Sequence, residues 1–227
     1  MDKSSKKILV GLGALESHWK EQLKEIDKFK IRKVSLFLEC MELPERKKIY
    51  NALLDSKIKY IPLVHIRGDM ERTELLFLRR NFESSFFTIH EDEFKFLPKW
   101  REFHKDLFLE MNHDSFISKS IKIEKIGGFC VDLSHFKIAE EKWSKEFEYT
   151  IGKKKVARYF GCNHLNGYSY EQNSDLHTIK SLSDFDYLKT LPKFLFSGMI
   201  ALEMGNSIVE QLNFKKYILK IFPAKLK

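Results

Sequence analysis

The sequence predicts an α/β chain folded as a single (β/α)8 TIM barrel over residues 1–227, and three observations carry that expectation. Eight short runs rich in β-branched and aromatic residues begin near Ile8, Val34, Tyr60, Phe86, Leu107, Gly128, Val156 and Leu195. They are apolar without strict alternation, as strands covered on both faces are. Stretches of helical length, apolar on one side and charged on the other, separate them, which is the alternation of a parallel barrel. A length of 227 residues also suits one core, since such barrels reach about 200 to 250 residues before splitting.

Taken in order, ILVGL at residues 8–12 leads to Leu15, Trp19, Leu23 and Ile26, which fall on one helical face. VSLFLE at 34–39 leads to Ile49, Leu53 and Leu54, again read as one face. YIPLVHI, FFTIH, LFLEM, GFCVDLSH, VARYFGCN and LFSGMIALEM supply the remaining strands, and the first three intervals between run starts are each 26 residues. A doubly wound sheet with a dinucleotide site competes poorly, because Gly11 and Gly13 lack the third glycine of GxGxxG. Residues 163–183 read as the longest irregular stretch, and a loop of that length in a compact domain is usually functional.

Composition excludes several classes. With 43% hydrophobic and 14% aromatic residues the chain has ample surface to bury and is not disordered. No wholly apolar run approaches the roughly 18 residues of a membrane span. The start, MDKSSKK, is basic, but the apolar run after it is short, Glu16 interrupts, and no small-residue cleavage site follows, so no signal peptide is expected. Cys40, Cys130 and Cys162 show no paired spacing, which argues against a disulfide framework and for a reducing, cytoplasmic setting. The net charge of +8 comes from scattered lysines, so it permits a polyanionic partner without requiring one.

The polar residues at the strand ends are the informative ones. The third run closes on His65, the fourth on His90, the fifth on Glu110, the sixth on Asp132 with His135 behind it, the seventh on His164 and the eighth on Glu203. The long loop adds Asp175 and His177. Any one of them has a plain explanation, such as Asp132 capping the next helix. A ring of carboxylates and imidazoles on successive strands would carry a large desolvation cost unless cations neutralised it. Mixed nitrogen and oxygen donors suit zinc, manganese or iron, and the many imidazoles favour zinc.

These segments resemble the xylose isomerase-like TIM-barrel superfamily, which holds sugar isomerases and epimerases together with the endonuclease IV family of apurinic-site endonucleases. GFCVDLSH is similar to the family's Asp-x-x-His segment, HLNG to its His-Leu-Asn-Asp segment, and LEM to its closing Leu-Glu strand. The resemblance implies that Glu110, Asp132, His164 and Glu203 form the superfamily's shared metal site. In the endonuclease branch, whose ligand order is the nearer one, His65, His90, His135, Asp175 and His177 would complete a cluster of up to three zinc ions. The chain departs from that pattern at Gly167, where the family usually has Asp, and at KSLSD, residues 180–184, where Gly-Glu-Gly is common. It is also short, which leaves little room for loops that grip DNA.

Two activities follow as expectations. In the first, a zinc cluster bridged by Glu110 and held by the remaining carboxylates and histidines, Glu203 among them, hydrolyses a phosphoester such as abasic-site DNA, with Arg67 meeting a phosphate. In the second, a single Mn2+ or Mg2+ ion and the pair Glu110 and Glu203 isomerise or epimerise a small sugar or sugar phosphate, His135 contacting its hydroxyls. A barrel that binds a ligand or partner without catalysis is the third reading, since this fold hosts many functions.

Overall fold

Short β-branched and aromatic runs become parallel strands when each is followed by a segment long enough to return across a face. Nine such strands lie side by side in a nearly closed, barrel-like sheet. The structure is a computed structural model that describes residues 8–221; the basic start read above, at residues 1–7, lies outside them. In chain order the strands are β1 (Ile8–Leu9), β2 (Gly11–Leu12), β3 (Ser35–Phe37), β4 (Leu63–His65), β5 (Phe86–His90), β6 (Leu107–Glu110), β7 (Gly128–Asp132) and β8 (Phe160–Leu165). A separate antiparallel hairpin follows, β9 (Gly167–Ser169) with β10 (Ser174–Leu176), and then the last sheet strand, β11 (Ile200–Leu202). The order across the sheet is β1-β11-β8-β7-β6-β5-β4-β3-β2, so all eight segments expected to be extended are in it.

The two ends of that order are neighbours in the chain. β1 pairs with β11 and β2 pairs with β3, with Val10 alone between them. At Gly11 the backbone passes so close to β11 that a Cβ would lie 1.9 Å from the Leu202 carbonyl oxygen, which explains the glycine. The pairing that Gly11 cannot make with β11 comes from a side chain of α6 (Ile208–Ile221) instead. Its Gln211 Oε1 accepts from the Gly11 N–H at 2.7 Å, and Nε2 donates to the Gly11 carbonyl at 3.0 Å. Gln211→Leu keeps the volume but leaves two buried backbone groups unpaired, each worth roughly 1–3 kcal/mol. It is expected to lower stability by about 3 kcal/mol, read as a shift in the urea midpoint with an unchanged slope.

Helices cover the outside of the sheet. In α1 (Trp19–Lys28) the stripe Trp19, Leu23, Ile26 is buried as the spacing requires. In α2 (Leu43–Asp55) Ile49 and Leu53 are buried, but Leu54 is 53% exposed. The two adjacent leucines lie about 100° apart around the helix, so only one can join the stripe. Helix α3 (Arg72–Phe82) starts on a capping box of Glu71 and Glu74. Its Glu74 also binds the buried Arg46 of α2 at 2.9 Å, and Asp69 meets the same guanidinium at 3.0 Å. This pair of contacts fixes the loop that follows β4.

Two connections depart from a regular strand and helix alternation. After β6 only a short turn, Ile123–Lys125, forms, because residues 112–120 are rich in Asn, Asp and Ser, which compete with the helical backbone. After β8 the expected loop is in part strand: it begins with the end of β8, continues as the β9–β10 hairpin and leads to 3-10 turns at Leu182–Lys189. Beyond β7 two helices, α4 (Leu133–Lys142) and α5 (Lys145–Gly152), pack together. Among the described residues no helix is long and apolar enough to cross a membrane.

Inside the sheet sits a small cluster distinct from the main core under the helices. It contains Ala14, Phe37, Leu63, Phe108, Cys130, Cys162 and Ala201. Cys130 and Cys162 are direct partners in the β7–β8 register. This plug is the floor on which the polar residues stand.

Candidate metal centre

Side chains on a strand alternate between faces with period two. A plug residue therefore places the residue two positions later on the same interior face, one layer nearer the carboxyl ends. Leu63 leads to His65, Phe108 to Glu110, Cys130 to Asp132, Cys162 to His164 and Ala201 to Glu203. Register sets them side by side, with His90 opposite Glu110 and Asp132 opposite His164. The whole set is then withdrawn from water: His65 and Glu110 are each 1% exposed and His164 is 0% exposed.

Donor atoms converge in three linked groups, within each of which they lie within 4.8 Å of one another. The first is His65, Glu110, His164 and Glu203; the second is Glu110, Asp132 and His135; the third is His113, His135 and Asp175. His164 Nδ1 lies 2.7 Å from Glu110 Oε2 and 3.1 Å from Glu203 Oε2. On the other side of the same carboxylate, Glu110 Oε1 is 3.3 Å from His135 Nδ1. His135 Nε2 then reaches toward Asp175 Oδ2 at 3.9 Å.

The fit to a divalent cation can be judged from these atoms alone. Buried polar atoms are nearly always hydrogen-bonded. Here both nitrogens of His65, Nδ1 of His135 and His164, and Oε2 of Glu39, Glu110 and Glu203 are buried without a hydrogen bond to any described residue. Ligand bonds of about 2.0–2.2 Å place neighbouring donors roughly 3.0–3.5 Å apart, and the His164–Glu203 and His135–Glu110 distances of 3.1 and 3.3 Å fall in that range. The donors fit a divalent metal, and His65, Glu110, His164, Glu203, Asp132, His135, His113 and Asp175 are the residues that would hold it.

Several neighbours steer these groups. Thr88 Oγ1 is 3.4 Å from His164 Nε2 and can hold that ring nitrogen, as outer partners of metal-binding imidazoles do. Asp132 does cap α4, accepting from the His135 N–H and the Ser134 hydroxyl at 2.8 Å each, while its other oxygen accepts from Asn166 Nδ2 at 3.2 Å. Capping and ligation are compatible here: one carboxylate starts the helix that carries His135.

The remaining residues singled out by the sequence occupy the margin. His90 stacks on His65 with ring centroids 4.6 Å apart but joins none of the three groups. His177 Nε2 pairs with Asp175 Oδ2 at 2.9 Å, and its Nδ1 lies 3.3 Å from the Glu203 carbonyl. Arg67 sits at the rim with its guanidinium drawn to Glu42 at 2.6 Å and Asp69 at 3.3 Å. Two neighbours were not singled out: His113, a member of the third donor group, and Glu39, which joins none of the groups but brings its Oε2 to 3.6 Å from His65 Nδ1. His113 lies on a loop outside any periodic pattern, with its ring 4.9 Å from that of His135.

Without a cation the imidazoles and carboxylates neutralise one another. Burial opposes charge on His65, but Glu39 and Glu110 beside it raise its pKa to about 9. Burial likewise opposes charge on His164, and Glu110 and Glu203 carry it well above the usual imidazole range. Burial also works against the Glu110 carboxylate, yet His164 and His65 hold its pKa well below the usual range. For His177, burial is outweighed by Asp175 and Glu203, and the pKa rises to about 9. Histidines raised above their unfolded value of about 6.5 stabilise the fold fully below that pH and lose the contribution as pH climbs through about 9. The metal-free protein is therefore expected to melt at progressively lower temperature between pH 6.5 and 9, a loss that saturating divalent metal should remove. Calorimetric scans with and without chelator measure it.

The chain matches no protein-family model and none of the curated proteins, so the functional reading rests on the donor set and on the fold that assembles it.

Proposed function

We propose that the chain is a (β/α)8 TIM-barrel enzyme, with residues 8–12 as one strand interrupted at Val10, whose zinc cluster hydrolyses phosphoesters. The observation that carries this reading is the position of Glu110. One oxygen belongs with His164 at 2.7 Å and the other with His135 at 3.3 Å, so one carboxylate is shared by two donor groups. His135 is shared in turn by the second and third groups, which suits a chain of cations better than the single ion of a sugar isomerase. The resemblance of the ligand order to the endonuclease IV branch points the same way, and so does the surplus of lysines toward an anionic substrate.

Bound divalent cations supply Lewis acidity toward phosphoryl oxygens and lower the pKa of a water ligand to near 7. The protein's part is placement. Glu110 would serve both the His164 and the His135 groups, and Glu203, buried beside His164 just after β11, would be a further holder in the first group. Asp132 and the helix it caps set His135, while Asp175 binds His135 and His177 together at the side nearest the hairpin. Arg67, partly exposed at the rim, is placed to exchange Glu42 for a substrate phosphate, which its fork of donors matches well. The buried floor and walls exclude bulk water, which strengthens each of these interactions.

The test is metal content together with activity. Purified protein dialysed against zinc should carry more than one ion per chain and cleave an abasic-site duplex or a simple activated phosphodiester. One ion per chain with interconversion of ketoses and aldoses would establish the isomerase reading instead, and bound metal without turnover of either substrate class would leave a binding protein.

A further inference from the structure

We propose that Glu39 is a further metal ligand, supplied by the turn just after strand β3 and completing the centre on the side of His65. The assignment rests on reading the cluster as a cation site, and three observations place Glu39 in it.

The first is periodicity. Phe37 belongs to the interior plug with Leu63, Phe108, Cys130, Cys162 and Ala201. Each of the last five is followed two residues later by a donor of the centre, and Phe37 is followed two residues later by Glu39. Phe37 and His65 are register partners, and the Leu38 N–H donates to the His65 carbonyl at 2.9 Å, so the ladder continues to the residue before Glu39. Glu39 itself opens the turn that follows β3, one residue past the last ladder bond, and its Oε2 comes within 3.6 Å of His65 Nδ1 in the donor layer.

The second is a crowding of acceptors on one nitrogen. His65 Nδ1 lies 3.6 Å from Glu39 Oε2, 3.7 Å from Glu110 Oε2 and 3.8 Å from Glu203 Oε1. A ring nitrogen carries at most one proton, and a proton points in one direction. Three carboxylates, Glu39 just after β3, Glu110 at the end of β6 and Glu203 just after β11, thus face a group that can serve one of them. A divalent cation accepts several oxygen and nitrogen donors at once and resolves the conflict.

The third is unmet hydrogen bonding. Glu39 Oε2 is buried with no hydrogen-bond partner among the described residues, and His65, 1% exposed, has neither nitrogen hydrogen-bonded. The other oxygen, Oε1, is turned toward the Cys40 thiol at 3.9 Å and away from the centre. One oxygen is directed inward and unsatisfied, as a monodentate ligand would be.

A carboxylate that merely oriented His65 would have much of the same surroundings, so the test must separate the two roles. Wild type, Glu39→Gln and Glu39→Asp are dialysed against buffered free zinc, and bound metal is measured by elemental analysis. The visible absorption of the Co2+-loaded proteins reports the ligand set directly. Losing an orienting partner costs about 10–100-fold in metal affinity. Loss of a ligand is expected to exceed that, so Glu39→Gln should give up one ion per chain, or hold it more than about 100-fold less tightly, with altered Co2+ bands. Glu39→Asp, which keeps the charge but is one methylene shorter, should retain more of the metal. If Glu39→Gln does not fold by circular dichroism, a shift in the Co2+ bands of Glu39→Asp serves as the readout. Unchanged stoichiometry, or weaker binding with unchanged Co2+ bands, would overturn the assignment and leave the cluster reading intact. A wild-type protein that binds no cation would remove both together.

Discussion

Glu110→Gln is expected to reduce phosphoester hydrolysis by about three orders of magnitude or more, which is the upper end of what one stabilising donor contributes to a transition state. The replacement keeps the shape and removes the charge. Its effect spreads because Glu110 belongs to two of the three donor groups, with His164 on one oxygen and His135 on the other. A terminal ligand would weaken one site; this residue weakens two and breaks the spacing between them. The variant should also bind less zinc, which separates loss of the centre from loss of a proton-transfer step. Glu110→Asp restores the charge without the reach and should recover metal more fully than turnover. Full metal content and full activity in Glu110→Gln would sink the bridging role.

Chelation is expected to lower the melting temperature by about 8–16 °C. Binding to the folded state alone stabilises by about 4 kcal/mol when free metal exceeds its dissociation constant a thousandfold. For a chain of this size each kcal/mol moves the melting temperature by roughly 2–4 °C. The effect should be large because the donors are preassembled: His65, Glu110 and His164 are buried, and the unfolded chain offers no such site. A thermal scan in chelator against one in buffered zinc gives the number, and coincident curves would mean that the cluster holds no structural cation.

Much of the sheet was legible because period and placement are local properties. FFTIH and GFCVDLSH became β5 and β7 at the expected positions, and the donors at their ends followed from the same alternation. Starts were less legible where an apolar run extends beyond the paired strand. Val156 is exposed ahead of a 3-10 turn, and β8 begins only at Phe160; Leu195 likewise belongs to a turn ahead of β11. The hairpin within residues 163–183 was hidden because its strands are only three residues long and lack an apolar stripe. Glu39 went unnoticed for a different reason. It follows an apolar run without any histidine or recognisable motif, and only the register of β3 beside β4 shows that it meets His65. His113 comes from a turn-rich segment where neither periodicity nor pairing constrains the side chain. Contacts between strands close in space and distant in sequence decide such cases, and a single sequence carries no direct trace of them.

The closure at Gly11 bears on how the protein is made. Gly11 and Gln211 are 200 residues apart, and β1 waits for β11. The strand β1 leaves the ribosome well before β11, its partner on one side. Until α6 arrives, an uncompleted sheet exposes unpaired backbone edges, the feature by which chains associate wrongly. Such late, long-range closure slows folding. Yield from a cell should therefore respond to chaperone supply and growth temperature more than the stability of the finished fold would suggest, and substitutions at Gln211 should appear first as insoluble protein.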